Sequence, residues 1–245
     1  MIDLSNKIAL VTGGSRGIGA ATAKRLARQG ASVAISYHSS ADRANQVVQE
    51  IQRAGGKAIA MQANGSDPAA NAQLIQQVVD QLGKLDILVN NAGVYITGGI
   101  AETDTSSYTQ NFDLNVRGVY ETTRAAVDHL NDNGRIINIG SAVAIRAFPG
   151  VSAYAGSKAA VAAFTRAWAK ELGGRGITVN TLHPGSVNTE MNPADSEYAD
   201  AQRAMNALGR FGTAEEIAAT VAFLASDEAA FISGSEILVD GAMTA

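Results

Sequence analysis

The strongest constraint on the fold is a rhythm. Short, continuous runs of apolar, β-prone residues alternate with amphipathic helical stretches along all 245 residues. The apolar runs fall at about 7–12, 32–36, 57–61, 85–89, 135–139, 176–181 and 235–239. Most lack the in–out alternation of half-exposed strands, and continuous apolar strands belong to a parallel sheet covered on both faces. Helical periodicity fills the gaps at about 17–29, 41–54, 68–82, 105–130, 152–172 and 214–225. Asp67-Pro68 pairs an N-cap residue with a proline at the first helical position, and Gly30 and Gly83 stand where helices stop. Strand–helix alternation on this scale predicts one α/β domain, residues 1–245, with a doubly wound, mainly seven-stranded parallel sheet. The rhythm breaks at about 185–213, where Pro193, Gly209 and Gly212 surround a short helical pattern at 195–207. The segment follows a strand end, where ligands bind in open α/β sheets, and so predicts a small lid over the substrate.

The first strand runs into Thr12-Gly13-Gly14-Ser15-Arg16-Gly17-Ile18-Gly19, and a helix follows. Glycines permit a tight turn and let a phosphate approach the backbone, while the free N–H groups of the helix start supply donors and a favourable dipole. A glycine cluster alone also fits an ordinary strand-to-helix turn; its place between the first strand and first helix points to a dinucleotide. An acid ending the second strand would pair with the ribose 2′-hydroxyl of NAD and repel a 2′-phosphate. That strand ends instead in Tyr37-His38-Ser39-Ser40. Arg16, His38, Ser39 and Ser40 can all donate to phosphate, so NADP(H) is expected over NAD(H). Alternatively, Arg16 is a solvated charge and the serines cap the next helix.

Several functions are excluded by what the chain lacks. Without cysteine there is no disulfide, thiolate metal site or cysteine nucleophile. His38, His129 and His183 have no metal-motif spacing, so no metal is expected. A net charge of −4 argues against nucleic acid. No apolar run approaches a membrane span and the N-terminus lacks a signal-peptide pattern, so the expected location is cytoplasmic.

Tyr154 and Lys158 lie four apart near the start of a helical run, on one face. A nearby ammonium favours phenolate, so the lysine is expected to lower the tyrosine pKa and make it an acid/base near neutral pH. Ser141 follows the strand at 135–139, where its hydroxyl can bond a carbonyl oxygen. Taken alone, such a Tyr–Lys pair is also a common packing arrangement.

These motifs together resemble the classical short-chain dehydrogenase/reductase family, in the family's order and over essentially the whole chain. Thr12-Gly13-x-x-x-Gly17-x-Gly19 matches the cofactor turn, and Asn90-Asn91-Ala92-Gly93 the segment after the fourth strand. Asn115 matches the asparagine that joins Ser141, Tyr154 and Lys158 in a catalytic tetrad; Pro184-Gly185 and Thr189 match the segment beside the nicotinamide, and Val239-Asp240-Gly241 the terminal signature. The resemblance implies a Rossmann-type oxidoreductase that moves hydride between a nicotinamide cofactor and a carbonyl. It implies that Tyr154 protonates the oxygen, Lys158 also holds the ribose, and Asn115 supports a proton-relaying water. Val187 and Thr189 would place the carboxamide. Tyr37 stands where NAD-preferring members have an acid, and His38 where many NADP-preferring members have Arg. The chain departs at Ala63-Asn64-Gly65, where the family has Asp facing the adenine. Asn64 can still accept there, and Gly65 is expected to loosen the turn.

Expected substrate walls are Val94, Tyr95, Ala142, Val143, Phe148, Gly185, Ser186, Met191 and Met205. They are mainly apolar and suit a small, hydrophobic ketone. The alternative is a 3-oxoacyl-[acyl-carrier-protein] reductase, but the stretch through Asp128 and Asp132 is acidic where an acidic carrier needs basic contacts; Arg124, Arg166 and Lys170 remain candidates. A non-catalytic nucleotide-binding regulator is a third reading, weakened by the presence of all four tetrad residues. Ala-rich helices at 105–130 and 152–172 predict, with the resemblance, a homotetramer; the same faces could pack on the chain's own sheet.

Overall fold

A computed structural model describes residues 2–245. Seven strands form one all-parallel sheet: β1 (Ile8–Val11), β2 (Ser32–Tyr37), β3 (Lys57–Gln62), β4 (Leu85–Asn90), β5 (Leu130–Ile139), β6 (Thr178–Pro184) and β7 (Glu236–Val239). Their order across the sheet is β3-β2-β1-β4-β5-β6-β7. The winding reverses between β1 and β4, and a crevice opens there at the carboxyl ends of the strands.

Helices α1 (Gly17–Arg28), α2 (Ala41–Arg53), α3 (Pro68–Leu82), α4 (Thr105–Phe112), α5 (Val119–Ala126), α6 (Ser152–Leu172), α7 (Ala199–Ala204) and α8 (Ala214–Ala225) complete the architecture. Successive strand residues feed opposite cores, as the two-residue period requires. Ala9, Val11, Val33, Ile35, Ile87 and Val89 join Leu26 of α1, Val47 of α2 and Val221 of α8. Leu10, Ala34, Leu88, Ile136 and Val179 join Leu74 and Val78 of α3, Val119 of α5 and Trp168 of α6. Burial on both faces explains why the strands read as continuous apolar runs.

The caps follow the sequence. Asp67 accepts from Ala69 N at 2.9 Å, with Pro68 opening α3. Gly83, at φ 99°, ends α3, and Gly30, at φ 102°, turns the chain after α1. Four boundaries differ from expectation. The helix expected over 105–130 is four pieces: α4, a π-helical stretch at Asp113–Gly118, α5, and a 3-10 turn at Val127–His129. Leu130 already belongs to β5, because its side chain fills the core beside Leu85 rather than closing a helix. β6 runs on to Pro184, and the short helix of the 185–213 segment covers only Ala199–Ala204. Among the described residues, no helix is long and apolar enough to cross a membrane.

Candidate active site

The first wall is the glycine turn after β1. A Cβ on Gly19 would lie 2.4 Å from Gly13 O and 2.5 Å from Asn91 Nδ2, so no larger residue fits. Asn91 donates to Thr12 O at 2.8 Å and Gly13 O at 3.1 Å, while Thr12 Oγ1 accepts from Asn91 N and Ala92 N, each at 3.0 Å. The segment Asn91–Gly93 is thereby stitched to the turn. Arg16 is the N-cap of α1 and its side chain makes no cap bond; no acid sits in the first helical turn. Gly17 and Ile18 open this helix, so its N–H groups and positive dipole end face outward beside Ser15, an anion-binding arrangement.

At the end of β2, Tyr37 is half-buried and His38 and Ser39 are exposed. Ser40 is the N-cap of α2, yet its hydroxyl makes no cap bond. The nearby cations are Arg16 and Arg43, the second on α2. Both contact Glu190: Arg16 Nη1 at 3.3 Å and Arg43 Nη1 in a closer ion pair. A cavity of about 590 Å³ between α1, α2 and the 185–213 segment includes Ser15, Arg16, Gly17 and Arg43 in its lining. Arg43 and Glu190 were not singled out from sequence, because only folding brings them beside Arg16.

Asn64 Oδ1 accepts from Ser66 N at 3.1 Å, so the oxygen expected to face adenine serves its own turn. Gly65 does not loosen that turn. Its carbonyl accepts from Asn71 Nδ2 at 2.9 Å, and Leu114 Cδ1 presses against its Cα side, leaving only 2.8 Å to a Cβ there.

Ser141, Tyr154 and Lys158 meet beyond β5. Lys158 is 4% exposed and donates to Ile139 O at 2.9 Å. Its ammonium lies 5.8 Å from the Tyr154 ring centroid. Burial pushes the lysine pKa down to about 8. The expected lowering of the tyrosine pKa is not what the site produces. Burial pushes Tyr154 up to about 12; a Ser141 hydrogen bond pulls it down and Tyr95 adds a smaller upward push. Desolvation opposes both charged forms, and here it is the largest cause for each. The pair can therefore hold a protonated phenol beside an ammonium at neutral pH. Lys158 has three N–H donors and one protein partner among the described residues, which leaves capacity for a ligand's hydroxyls.

Asn115 is fully buried within the π-helical stretch. Its Nδ2 donates to Val94 O at 3.0 Å and Ser157 Oγ at 3.1 Å, and its Oδ1 accepts from Val94 N at 2.9 Å. The side chain thus ties the segment after β4 to α6, one residue from Lys158. Single π turns inside helices often mark such sites.

Val143, Phe148 and Tyr154 pack with Val151 and Ala155 in one small apolar cluster. Tyr95 meets Tyr154 edge-on, with centroids 4.7 Å apart. Pro184 ends β6, and Ser186 O accepts from Gly212 N at 2.9 Å at the base of the 185–213 segment. Val187 is buried and pairs with Gly212, while Gly17 faces Thr189, whose Cγ2 would lie 3.4 Å from a Cβ on that glycine. Met191 and Met205 are exposed and outside the Tyr154 cluster. Sequence reading also missed a cleft of about 430 Å³ lined by Ile100, Thr103, Tyr108, Phe112, Ser152 and Ala153, at the start of α6. Its walls come from two segments about 40 residues apart, 100–112 and 152–153, so the four-residue spacing of Tyr108 and Phe112 on α4 does not by itself reveal it.

The family model described as enoyl-(acyl carrier protein) reductase matches residues 13–244. A 3-oxoacyl-[acyl-carrier-protein] reductase of Synechocystis is 41% identical over 99% of both chains. A hydroxynaphthalene reductase of Aspergillus fumigatus is 40% identical over 95% of this chain and 90% of its own. Among solved structures, a short-chain dehydrogenase from Burkholderia cenocepacia, in complex with NADP, is 48% identical with a TM-score of 0.97 over 99% of both chains. A glycine turn after β1, a buried Tyr–Lys pair opening α6 and this breadth of similarity make the chain a member of the classical short-chain dehydrogenase/reductase family, an oxidoreductase on a single α/β domain.

Proposed function

We propose that the protein reduces the carbonyl of a small, mainly apolar ketone with NADPH, reversibly, with Tyr154 as the proton donor. The observation that carries this reading is the buried pair. A phenol held near 12 is fully protonated at neutral pH, and a lysine near 8 is mostly charged there. When Tyr154 passes its proton to the carbonyl oxygen, the phenolate left behind faces the Lys158 ammonium, and Ser141 donates to the same oxygen. These stabilise charge where it develops, which is where binding accelerates chemistry. Bound dihydronicotinamide supplies the hydride. Lys158 also holds the ribose, and Asn115 keeps Val94 and α6 in register around it.

The residues fit that cofactor. Gly13, Ser15, Gly17, Ile18 and Gly19 receive the pyrophosphate, and Asn91, Ala92, Gly93, Pro184, Gly185, Val187 and Thr189 surround the nicotinamide half. Arg16, His38, Ser39 and Ser40, with Arg43, take the 2′-phosphate in place of Glu190. The NADP complex of the 48%-identical dehydrogenase supports this choice. Substrate lies among Tyr95, Val143, Phe148 and Ser186, with Met191 and Met205 closing over it from the 185–213 lid. The aromatic substrate in the name of the hydroxynaphthalene reductase supports a free ketone. The carrier-protein reductase relative supports the second reading; of the candidate basic contacts Arg124 and Arg166 are held by Glu121 and Glu236, while Lys170 is exposed and unpaired among the described residues. We expect a homotetramer; exposed Tyr108 and Tyr120 on α4 and α5, and Phe231 and Leu238 near the C-terminus, support two contact faces.

The test is a panel of free and carrier-bound ketones with NADPH and NADH, run beside Tyr154→Phe. Free apolar ketones should be reduced with NADPH, and the variant should lose at least about 100-fold in kcat while still binding cofactor. Faster turnover of carrier-bound 3-oxoacyl groups would establish the second reading. NADPH binding with no carbonyl reduced would leave a nucleotide-binding regulator.

A further inference from the structure

Ser141 stands just past the point where the sheet stops supporting it. The last ladder bond between β5 and β6 runs from Gly140 N to Leu182 O at 2.7 Å. In a parallel ladder the next donor would be the N–H of residue 184, and residue 184 is a proline. The acceptor left without that donor is Gly140 O, and the ladder ends one residue before Ser141. Ser141 is held instead by the imidazole of His183, which is 0% exposed. His183 Nδ1 lies 3.1 Å from Ser141 N and 2.8 Å from Ser141 O. Nδ1 carries either a lone pair or a proton, so it makes one of these bonds at a time; with Nε2–H donating to Glu236, Nδ1 accepts from Ser141 N and so restrains the backbone on which Oγ stands.

The ring is itself held. Its Nε2 is 3.1 Å from Glu236 Oε2 on β7, and the other oxygen of Glu236 pairs with Arg166 on α6. Gly140 makes the approach possible: a Cβ there would lie 2.6 Å from His183 Nδ1. The chain Arg166–Glu236–His183–Ser141 therefore links the helix that bears Tyr154 and Lys158 to the serine that must share their target.

We propose that His183 is a positioning residue for Ser141, and that Glu236 orients it. The inference rests on the reading of Ser141 as the hydroxyl that meets the carbonyl oxygen.

The asymmetry of the ring supplies a test. An Asn amide reaches the place of Nδ1 but not that of Nε2; a Gln amide reaches towards Nε2. If the link to Ser141 matters, His183→Asn keeps more of kcat than His183→Gln. If His183 only braces β7 through Glu236, the order reverses. His183→Leu removes both contacts and should lower kcat about 30- to 100-fold, a loss typical of small misplacements, with NADPH Kd within about twofold of wild type. In a Ser141→Ala background, read by single-turnover NADPH oxidation at high enzyme concentration, His183→Asn and His183→Gln should become equivalent. Glu236→Gln, on a partly exposed side chain, covers the case in which His183→Leu does not fold; it should lower kcat several-fold with KM unchanged. Equal kcat for the Asn and Gln variants, the reverse order, or losses that add fully to Ser141→Ala would overturn the proposal while leaving the ketone-reductase reading intact. Unchanged kcat in Ser141→Ala itself would overturn both.

Discussion

Replacing Lys158 with Met tests the electrostatics of the site without any substrate. Methionine keeps the length and apolar bulk of the lysine stem and removes the amine. The lysine pKa falls from 10.5 to about 8 because the side chain is buried. At about 1.4 kcal/mol for each factor of ten, charging Lys158 in the folded protein costs about 3 kcal/mol more than in the unfolded chain. Because the folded value lies below the unfolded one, the unfolded chain binds the extra proton between pH 8 and 10.5, and wild-type stability rises with pH across that window. The Met variant has no such group. Its stability minus that of wild type should therefore fall by as much as about 3 kcal/mol as pH rises from 8 to 10.5, every other titrating group cancelling in the difference. Losing the bond to Ile139 O offsets the variant by about 1–3 kcal/mol, a shift common to the whole pH range. Urea unfolding of both proteins at matched concentration, from pH 7 to 10.5, measures the difference. A flat difference, or one that rises with pH, would refute the burial argument. Turnover of the variant should be lost at every pH.

Further outcomes follow from the same geometry. In the reducing direction, kcat/KM should fall as pH rises through about 8, where Lys158 loses its charge, and not near 12, where Tyr154 does; a pH–rate profile flat to pH 10 would contradict this assignment. Arg43→Ala should weaken NADPH binding about 10-fold and leave NADH unchanged, whereas Glu190→Gln, which frees Arg16 and Arg43, should tighten NADPH; fluorescence titration with both cofactors reads the two opposite signs. Glu216 caps α8 through Thr213 and accepts from Arg210 at 2.6 and 2.9 Å, which lowers its pKa from 4.5 to about 2. Its contribution is full above about pH 4.5 and disappears as pH falls through 2, so Glu216→Gln should lower Tm at pH 7 and match wild type at pH 2.

The elements were legible where one residue's neighbours in sequence are also its neighbours in space. Continuous apolar strands, the Asp67-Pro68 cap and the glycine turn are of that kind. The stretch from 105 to 130 was not, because a helical period runs through it unbroken while the π-helical widening is imposed from outside. Asn115 is held there by Val94 and Ser157, which lie 21 and 42 residues away. The same distance hides Arg43, Glu190 and His183. Arg43 reads as an ordinary solvated residue of an amphipathic helix until Glu190 is folded against it from 147 residues downstream. His183 reads as one of three scattered histidines until Gly140 opens a place for its ring.

The Tyr–Lys pair shows why spacing could identify the partners and still mislead about their charge. Four residues on a helix put phenol and ammonium on one face, and in water the ammonium would draw the phenol downward. Burying both reverses that, since desolvation opposes phenolate and ammonium alike. An acid near 12 is a secure reservoir of the proton but a reluctant donor. Proton transfer is then possible only if charge on the oxygen and on the phenolate is met at the moment it forms. Lys158 can meet it only while protonated, which limits the working range on the alkaline side. Ser141 is the group that lowers the tyrosine pKa, and it has no charge of its own to lose. Its contribution depends wholly on where its hydroxyl points, so the backbone partners that fix Ser141 matter to the chemistry as directly as the ionisation of the lysine.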